Sequence, residues 1–208
     1  MLVKDIMTTA VIAVAPDATL EQVCEAMHAK NIRHLPVVES GKLVGVVTDR
    51  DIHNATSALC LTPSNPQGLV RDAMAKQVKT AHPLDPVEDA ARTMRSLKIG
   101  CLPVLDGETL VGIITGIDLL DALLRLTGVD QPSGRIEVRL PDRPGGLAKL
   151  TALIAERGLN IHSILTYPEG GQVRTVLRVN TLETRHLAED LRGAGFEVLW
   201  PVEKPWRS

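Results

Sequence analysis

One stretch of this chain is written twice. Residues 4–55 and 71–122 align without a gap at an offset of 67 residues. Asp5, Met7 and Val11 return as Asp72, Met74 and Val78. Pro16, Met27, Ile32 and Leu35-Pro36-Val37 return as Pro83, Met94, Ile99 and Leu102-Pro103-Val104. The longest shared segment, Leu43-Val44-Gly45-x-x-Thr48-x-x-Asp51, returns as Leu110-Val111-Gly112-x-x-Thr115-x-x-Asp118. A duplicated unit folds as two copies packed pseudo-symmetrically, so sites come in related pairs. Polar residues kept in both copies at the end of an apolar run are the first candidates for function.

Each copy reads in the same order. A short extended piece (residues 11–14 or 78–81) runs into Pro16 or Pro83. A helix follows. In the first copy Thr19-x-x-Gln22 has the form of a capping box, with Leu20, Val23, Cys24 and Met27 on one face. In the second, Asp85 can cap, Pro86 suits the first helical position, and Val87, Ala90, Ala91 and Met94 repeat the face. Then come a short strand (35–38 or 102–105), a turn at Ser40-Gly41 or Asp106-Gly107, and a continuous apolar strand (43–47 or 110–114) that predicts burial on both faces. Thr48 and Thr115 open a second helix. Each unit is β-α-β-β-α, and residues 61–69, rich in Pro, Ser, Asn and Gly, join the two.

The pattern changes after Gly128, and residues 130–134 form a second linker. Residues 135–140 alternate, with Ile136, Val138 and Leu140 on one face. Asp142-Arg143-Pro144-Gly145-Gly146 turns into a helix carrying Leu147, Leu150, Leu153 and Ile154. Asn160-Ile161 starts a second strand, and Gly170-Gly171 makes a hairpin into residues 173–179. A helix over roughly 184–194 and a strand over 197–199 complete β-α-β-β-α-β, the ferredoxin-like order. The fold class is therefore α/β in content (α+β by segregation): tandem repeats at 1–60 and 68–127, then a domain at 135–203. The last sheet is covered by helices on one face, so a partner is expected on the other.

Charge and composition narrow the function classes. The formal net charge of −2 leaves no electrostatic footprint for nucleic acid or for an anionic membrane. No run of apolar residues reaches the 18 of a spanning helix, and the first residues lack a basic, then apolar, leader, so a cytoplasmic setting is expected. Cys24, Cys60 and Cys101 form no Cys-x-x-Cys pair and are expected to be buried free thiols. The six histidines show no metal-ligand spacing, and neither a nucleophile elbow nor a phosphate loop occurs. No metal, catalytic residue or catalytic cofactor is expected.

The Gly-x-x-Thr-x-x-Asp segment carries the chemistry. Thr48 and Thr115 sit at helix N-termini, where unpaired N–H groups and the positive dipole end suit phosphate. Asp51 and Asp118 stand on the first turn, where a carboxylate can accept both hydroxyls of a ribose. The missing side chains at Gly45 and Gly112 leave room for a flat base against the backbone. The same tetrad is also a plain capping box, and one residue can serve both ends. The copies differ nearby. Arg33-His34 precedes Leu35 where Gly100-Cys101 precedes Leu102, and Asp49-Arg50 follows Thr48 where Gly116-Ile117 follows Thr115. Unequal sites are expected.

On Met7, Pro16, Leu35-Pro36-Val37, the run from Gly45 to Asp51 and their second-copy equivalents, residues 1–125 resemble a CBS domain pair, or Bateman module. On Asp142-Arg143-Pro144-Gly145-Gly146-Leu147 and Asn160-Ile161, residues 135 to about 202 resemble an ACT domain. The combination is similar to the acetoin-utilisation AcuB-like proteins. The resemblance implies AMP, ADP, ATP or S-adenosylmethionine as a regulatory ligand between the repeats, and positions before Leu-Pro-Val in contact with phosphate, so the site receiving Arg33 and His34 is expected to prefer a phosphorylated nucleotide. It implies an amino-acid effector at the turn of Asp142, Gly145, Gly146 and Leu147 with Asn160 and Ile161. It also implies a homodimer or higher assembly and a regulated partner protein that the sequence does not name. Two other readings stand beside this sensor: an assembly subunit that takes no small ligand, and a small enzyme using an adenosyl cofactor with His34 and Asp49 as its acid or base.

Overall fold

The computed structural model describes residues 1–56 and 67–202. They form two compact units, Met1–Ala122 and Leu123–Ser208. Cys60, most of the first linker and the Pro205-Trp206 pair lie outside the described residues.

In the first unit, copy one runs α1 (Leu20–Lys30), β1 (His34–Glu39), β2 (Lys42–Thr48) and α2 (Asp49–Thr56). Copy two runs α3 (Val70–Ala73), α4 (Val87–Leu97), β3 (Cys101–Asp106), β4 (Thr109–Thr115) and α5 (Gly116–Thr127), which runs on past Ala122 into the second unit. β1 pairs antiparallel with β2 and β3 with β4, in matching registers: His34 faces Thr48 as Cys101 faces Thr115. The expected extended pieces before the first helices shrink to single parallel bridges, Val14 to Val37 and Ala81 to Val104. The Thr19–Gln22 capping box forms as expected. The second helix starts differently. Pro86 is its N-cap rather than its first residue, and the Asp85 carboxylate accepts the N–H of His82, 2.7 Å away, in the preceding loop. Cys24 corrects the thiol expectation, because it is exposed. Leu20, Val23 and Met27 repeat every three or four residues and are buried, while Cys24 lies one 100° step round from Val23.

The copies trade their first segments. Val3, Ile6 and Met7 pack into the second core with Ala81, Met94, Leu102, Val104 and Ile114. Val70, Ala73 and Met74 pack into the first, with Val23, Met27, Leu35 and Val47. The backbone ties are paired in the same way. Val3 N–H donates to the Asp85 carbonyl and Val70 N–H to the Ala18 carbonyl, both at 2.9 Å. Thr8 exchanges two bonds with Ile113, and Ala75 two with Val46. Val3 and Val70 are each fully buried, worth about 1.5–3 kcal/mol apiece.

The second unit holds β5 (Gly134–Pro141), α6 (Gly146–Glu156), β6 (Ile161–Glu169), β7 (Gln172–Val179), α7 (Arg185–Gly193) and β8 (Glu197–Trp200). Its antiparallel sheet has the order β6-β7-β5-β8. The Gly170-Gly171 hairpin has left-handed backbone at both residues, φ 58° and 78°, which glycine adopts without strain. Ile136, Val138, Leu140, Leu177 and Val179 meet Leu150, Ile154, Leu187 and Leu191 of the helices. The other sheet face is an ion-pair network. Glu137, 5% exposed, meets Arg135 at 2.5 Å and Arg174 at 2.7 Å, and Arg139 pairs with Glu169 and Glu197. Burial alone would push Glu137 toward its neutral form. The Arg135 hydrogen bond and the charges of Arg135 and Arg174, with the Tyr167 hydroxyl, outweigh it and lower the pKa.

Candidate functional site

β2 and β4 end side by side, and Val46, Cys101 and Ile113 with Val11 and Val78 make a small apolar seam between the copies. Two clefts lie there, each lined by both copies. The first, about 910 Å³, holds Thr48, Asp49, Arg50 and Asp51 of copy one, with Lys79 and Lys98 of copy two. The second, about 610 Å³, holds Thr115 and Asp118 of copy two, with Arg33 of copy one. His34 lines both.

The Thr-x-x-Asp pairs are built alike. Asp51 Oδ2 accepts the Thr48 N–H at 2.9 Å and the Thr48 hydroxyl at 2.7 Å, while the Asp51 N–H donates to Thr48 Oγ1 at 3.2 Å. Asp118 Oδ2 accepts the Thr115 N–H and hydroxyl, both at 2.7 Å, and its own N–H reaches Thr115 Oγ1 at 3.5 Å. The capping reading is thus realised in both copies. Binding is compatible with it, since an ionised carboxylate has about four acceptor positions and one oxygen takes both of these bonds. Both aspartates are half-buried on the cleft walls.

His34 and Cys101 occupy equivalent positions in the two copies but differ in chemistry. Burial lowers the His34 pKa from 6.5, and the Arg33 charge acts in the same direction against the opposing carboxylates of Asp49 and Asp51. Burial, aided by the nearby Asp51 carboxylate, pushes the Cys101 thiol up to about 12. His34 is therefore held toward its neutral form and Cys101 is a protonated, unreactive wall.

Gly45 and Gly112 have a different job from the one expected. Neither lines either cleft. A Cβ on Gly45 would stand 2.5 Å from Met74 Sδ and 3.1 Å from the Ala75 carbonyl, and one on Gly112 would stand 2.5 Å from Met7 Sδ and 3.2 Å from the Thr8 carbonyl. These glycines admit the exchanged segment of the other copy, not a ligand base. Gly116 and Ile117 line the second cleft where Asp49 and Arg50 line the first. Sequence reasoning missed Lys79 and Lys98. The signal lay in the repeat alignment, which sets them opposite Ile12 and Asn31.

In the second unit the Asp142–Leu147 turn is the entry to α6. Gly145 is the N-cap with φ 90°, and the Gly146 N–H reaches the Arg143 carbonyl at 3.5 Å. Leu147 is 40% exposed. The loop before β6 is cross-linked by Asn180, whose side-chain oxygen accepts the Asn160 N–H at 2.8 Å and whose N–H donates to the Asn160 carbonyl. Ile161 packs against the helix-side core. Among the described residues no group of His, Cys, Asp and Glu could hold a metal ion, and no helix is long and apolar enough to cross a membrane.

A family model described as the CBS domain matches residues 3–57 and 70–125, and one described as the ACT domain matches residues 134–196. A CBS domain-containing protein of Dictyostelium discoideum is 36% identical over 135 residues, covering 61% of this chain and 93% of its own length. Among solved structures, the CBS domain pair of protein MJ0100 in complex with 5′-methylthioadenosine and S-adenosylmethionine is 31% identical with a TM-score of 0.54, covering 59% of this chain and 95% of that one. A putative acetoin utilization protein, AcuB, from Vibrio cholerae is 32% identical with a TM-score of 0.54, covering 64% and 98%. CBSX2 in complex with AMP is 26% identical with a TM-score of 0.55, covering 60% and 97%.

Proposed function

Because the chain belongs to the CBS domain family, as a tandem pair followed by an ACT domain, we propose that it is a non-catalytic regulatory protein whose ligand is an adenosine-containing molecule held between the repeats. The observation that carries this reading is the pair of clefts, each ending a buried strand with Thr-x-x-Asp at a helix start. In it, Asp51 and Asp118 accept ribose hydroxyls, and Thr48 and Thr115 hold those carboxylates in place at the helix starts. Arg33, His34, Asp49 and Arg50 line the remainder. The complexes of the MJ0100 pair with 5′-methylthioadenosine and S-adenosylmethionine, and of CBSX2 with AMP, support the ligand class.

Regulation requires that the ligand favour one packing of the repeats over another by a coupling of about 1–3 kcal/mol. The ACT domain is the candidate for a second small effector, an amino acid, at the Asp142–Leu147 turn and Asn160-Ile161. A dimer or higher assembly belongs to the same reading, since Leu165, Tyr167 and Trp200 stay exposed on the sheet. Light scattering on the purified chain reads the assembly directly.

The test is thermal unfolding with AMP, ADP, ATP, S-adenosylmethionine and common amino acids. A ligand at 100 times its Kd adds about 2.7 kcal/mol. A nucleotide shift that disappears in Asp51→Ala or Asp118→Ala supports the reading. A flat panel, in protein stripped of co-purified nucleotide, overturns it in favour of an assembly subunit.

A further inference from the structure

The 67-residue offset lets the two clefts be compared position by position. Lys79 in the Asp51 cleft replaces Ile12 of the Asp118 cleft, Lys98 replaces Asn31, and Arg50 replaces Ile117. In the other direction, Arg33 in the Asp118 cleft replaces Gly100. The Asp51 cleft therefore sets three cations against two carboxylates, Asp49 and Asp51. The Asp118 cleft sets one cation, Arg33, against one carboxylate. Resting on the adenosyl reading above, we infer that the two clefts divide their ligands by charge: the Asp51 cleft takes an adenosine polyphosphate, and the Asp118 cleft takes an adenosyl ligand with one phosphate or none.

Three observations converge on that division. A chain of two or three phosphates needs several cations spread along a concave wall, where the field is focused, and only the Asp51 cleft has them. That cleft is also the larger, about 910 Å³ against about 610 Å³. The backbone at Lys98 is the third. Asn31 and Lys98 both end a helix in the left-handed region, φ 52° and 55°. Asparagine is at ease there and lysine is not. Copy two thus keeps an ammonium group at a position whose conformation favours the residue of copy one. In the Asp118 cleft, Ile12 and Ile117 put apolar surface where the cations of the first stand, which suits an uncharged or sulfonium-bearing tail better than a polyphosphate.

This reverses the preference that the residues before Leu-Pro-Val suggest when taken alone, because the lysines enter the cleft from the other repeat. The test exchanges each cleft's residues for those at the equivalent positions of its twin: Lys79→Ile with Lys98→Asn for the first, Arg33→Gly for the second. Calorimetric titration of the full chain with ATP, AMP and S-adenosylmethionine reads each affinity. Circular dichroism checks that the variants fold. The expected result is ATP binding weakened roughly tenfold per lysine removed, with S-adenosylmethionine unchanged, and AMP weakened only by Arg33→Gly. ATP binding should also be lost in Asp51→Ala and kept in Asp118→Ala. ATP binding that survives the lysine exchange, or that follows Arg33 and Asp118, overturns the division and leaves the adenosyl reading standing. Wild-type protein that binds none of the three overturns both.

Discussion

His34 and Gly100 share one volume across the repeat boundary. A Cβ on Gly100 would run into Nε2 of the His34 ring and lie 3.0 Å from its Cε1. The ring fills the space left by the missing side chain, and it lines both clefts. Gly100→Ala must therefore rotate His34 out of place, disturbing both ligands at once. We expect a stability loss of about 1–3 kcal/mol and altered binding in both clefts. The double variant with His34→Ala should recover part of that loss, because the clash has only one partner. A double-mutant cycle on denaturant midpoints measures it, and strict additivity would show that the two residues do not share the space.

The same ring gives the fold a pH dependence. With its pKa held below 6.5 in the folded state, His34 takes up a proton more readily when the chain is unfolded. The stability linked to its neutral form is complete above about pH 6.5 and is lost as the pH falls through the folded value. The melting temperature of the wild type should drop more steeply between about pH 7 and pH 5 than that of His34→Gln. Parallel curves for the two proteins would remove His34 from the account.

Cys24 and Cys101 should separate cleanly under alkylation. Cys24 is exposed, whereas Cys101 is buried with its thiol pushed up to about 12. Iodoacetamide at about pH 8 should label Cys24 in native protein and Cys101 only after denaturation, read by peptide mass. Rapid native labelling of Cys101 would mean that the seam between the repeats opens.

Gly45→Ala and Gly112→Ala each set a Cβ against a methionine sulfur and a backbone carbonyl of the exchanged segment. The methionine can move, but the carbonyl is pinned by the bridges between Val46 and Ala75 and between Thr8 and Ile113. Each substitution should cost about 1–3 kcal/mol, read from the urea midpoint, with the m-value unchanged. If nucleotide binding changed and stability did not, the glycines would belong to the ligand site after all.

Much of this architecture was legible because local patterns and the fold agree. The Thr19–Gln22 box, the Gly170-Gly171 turn, the alternation of Ile136, Val138 and Leu140, and the repeat itself all report local preferences that packing leaves intact. What escaped depends on contacts between distant segments. Gly45 looked like a place for a ligand because nothing in its own repeat fills the space; its neighbour is Met74, from the other copy. Lys79 and Lys98 carried no signal within their own repeat because the wall they join belongs to copy one. Cys24 sits next to Val23 in sequence but at the solvent edge of the buried stripe. The shared wall made by His34 has no sequence signature except the glycine at position 100.

The traded segments also impose an order on how this chain can be made. As it leaves the ribosome, the first repeat has its helices and hairpin but lacks Val70, Ala73 and Met74, so its apolar floor stays open until residue 74 has emerged. The second repeat meets the opposite situation, since Val3, Ile6 and Met7 were synthesised long before and are waiting for it. Either repeat cut out on its own would carry the wrong opening segment for its own core. A truncation between the repeats therefore leaves each remaining core open where the other copy's segment belongs.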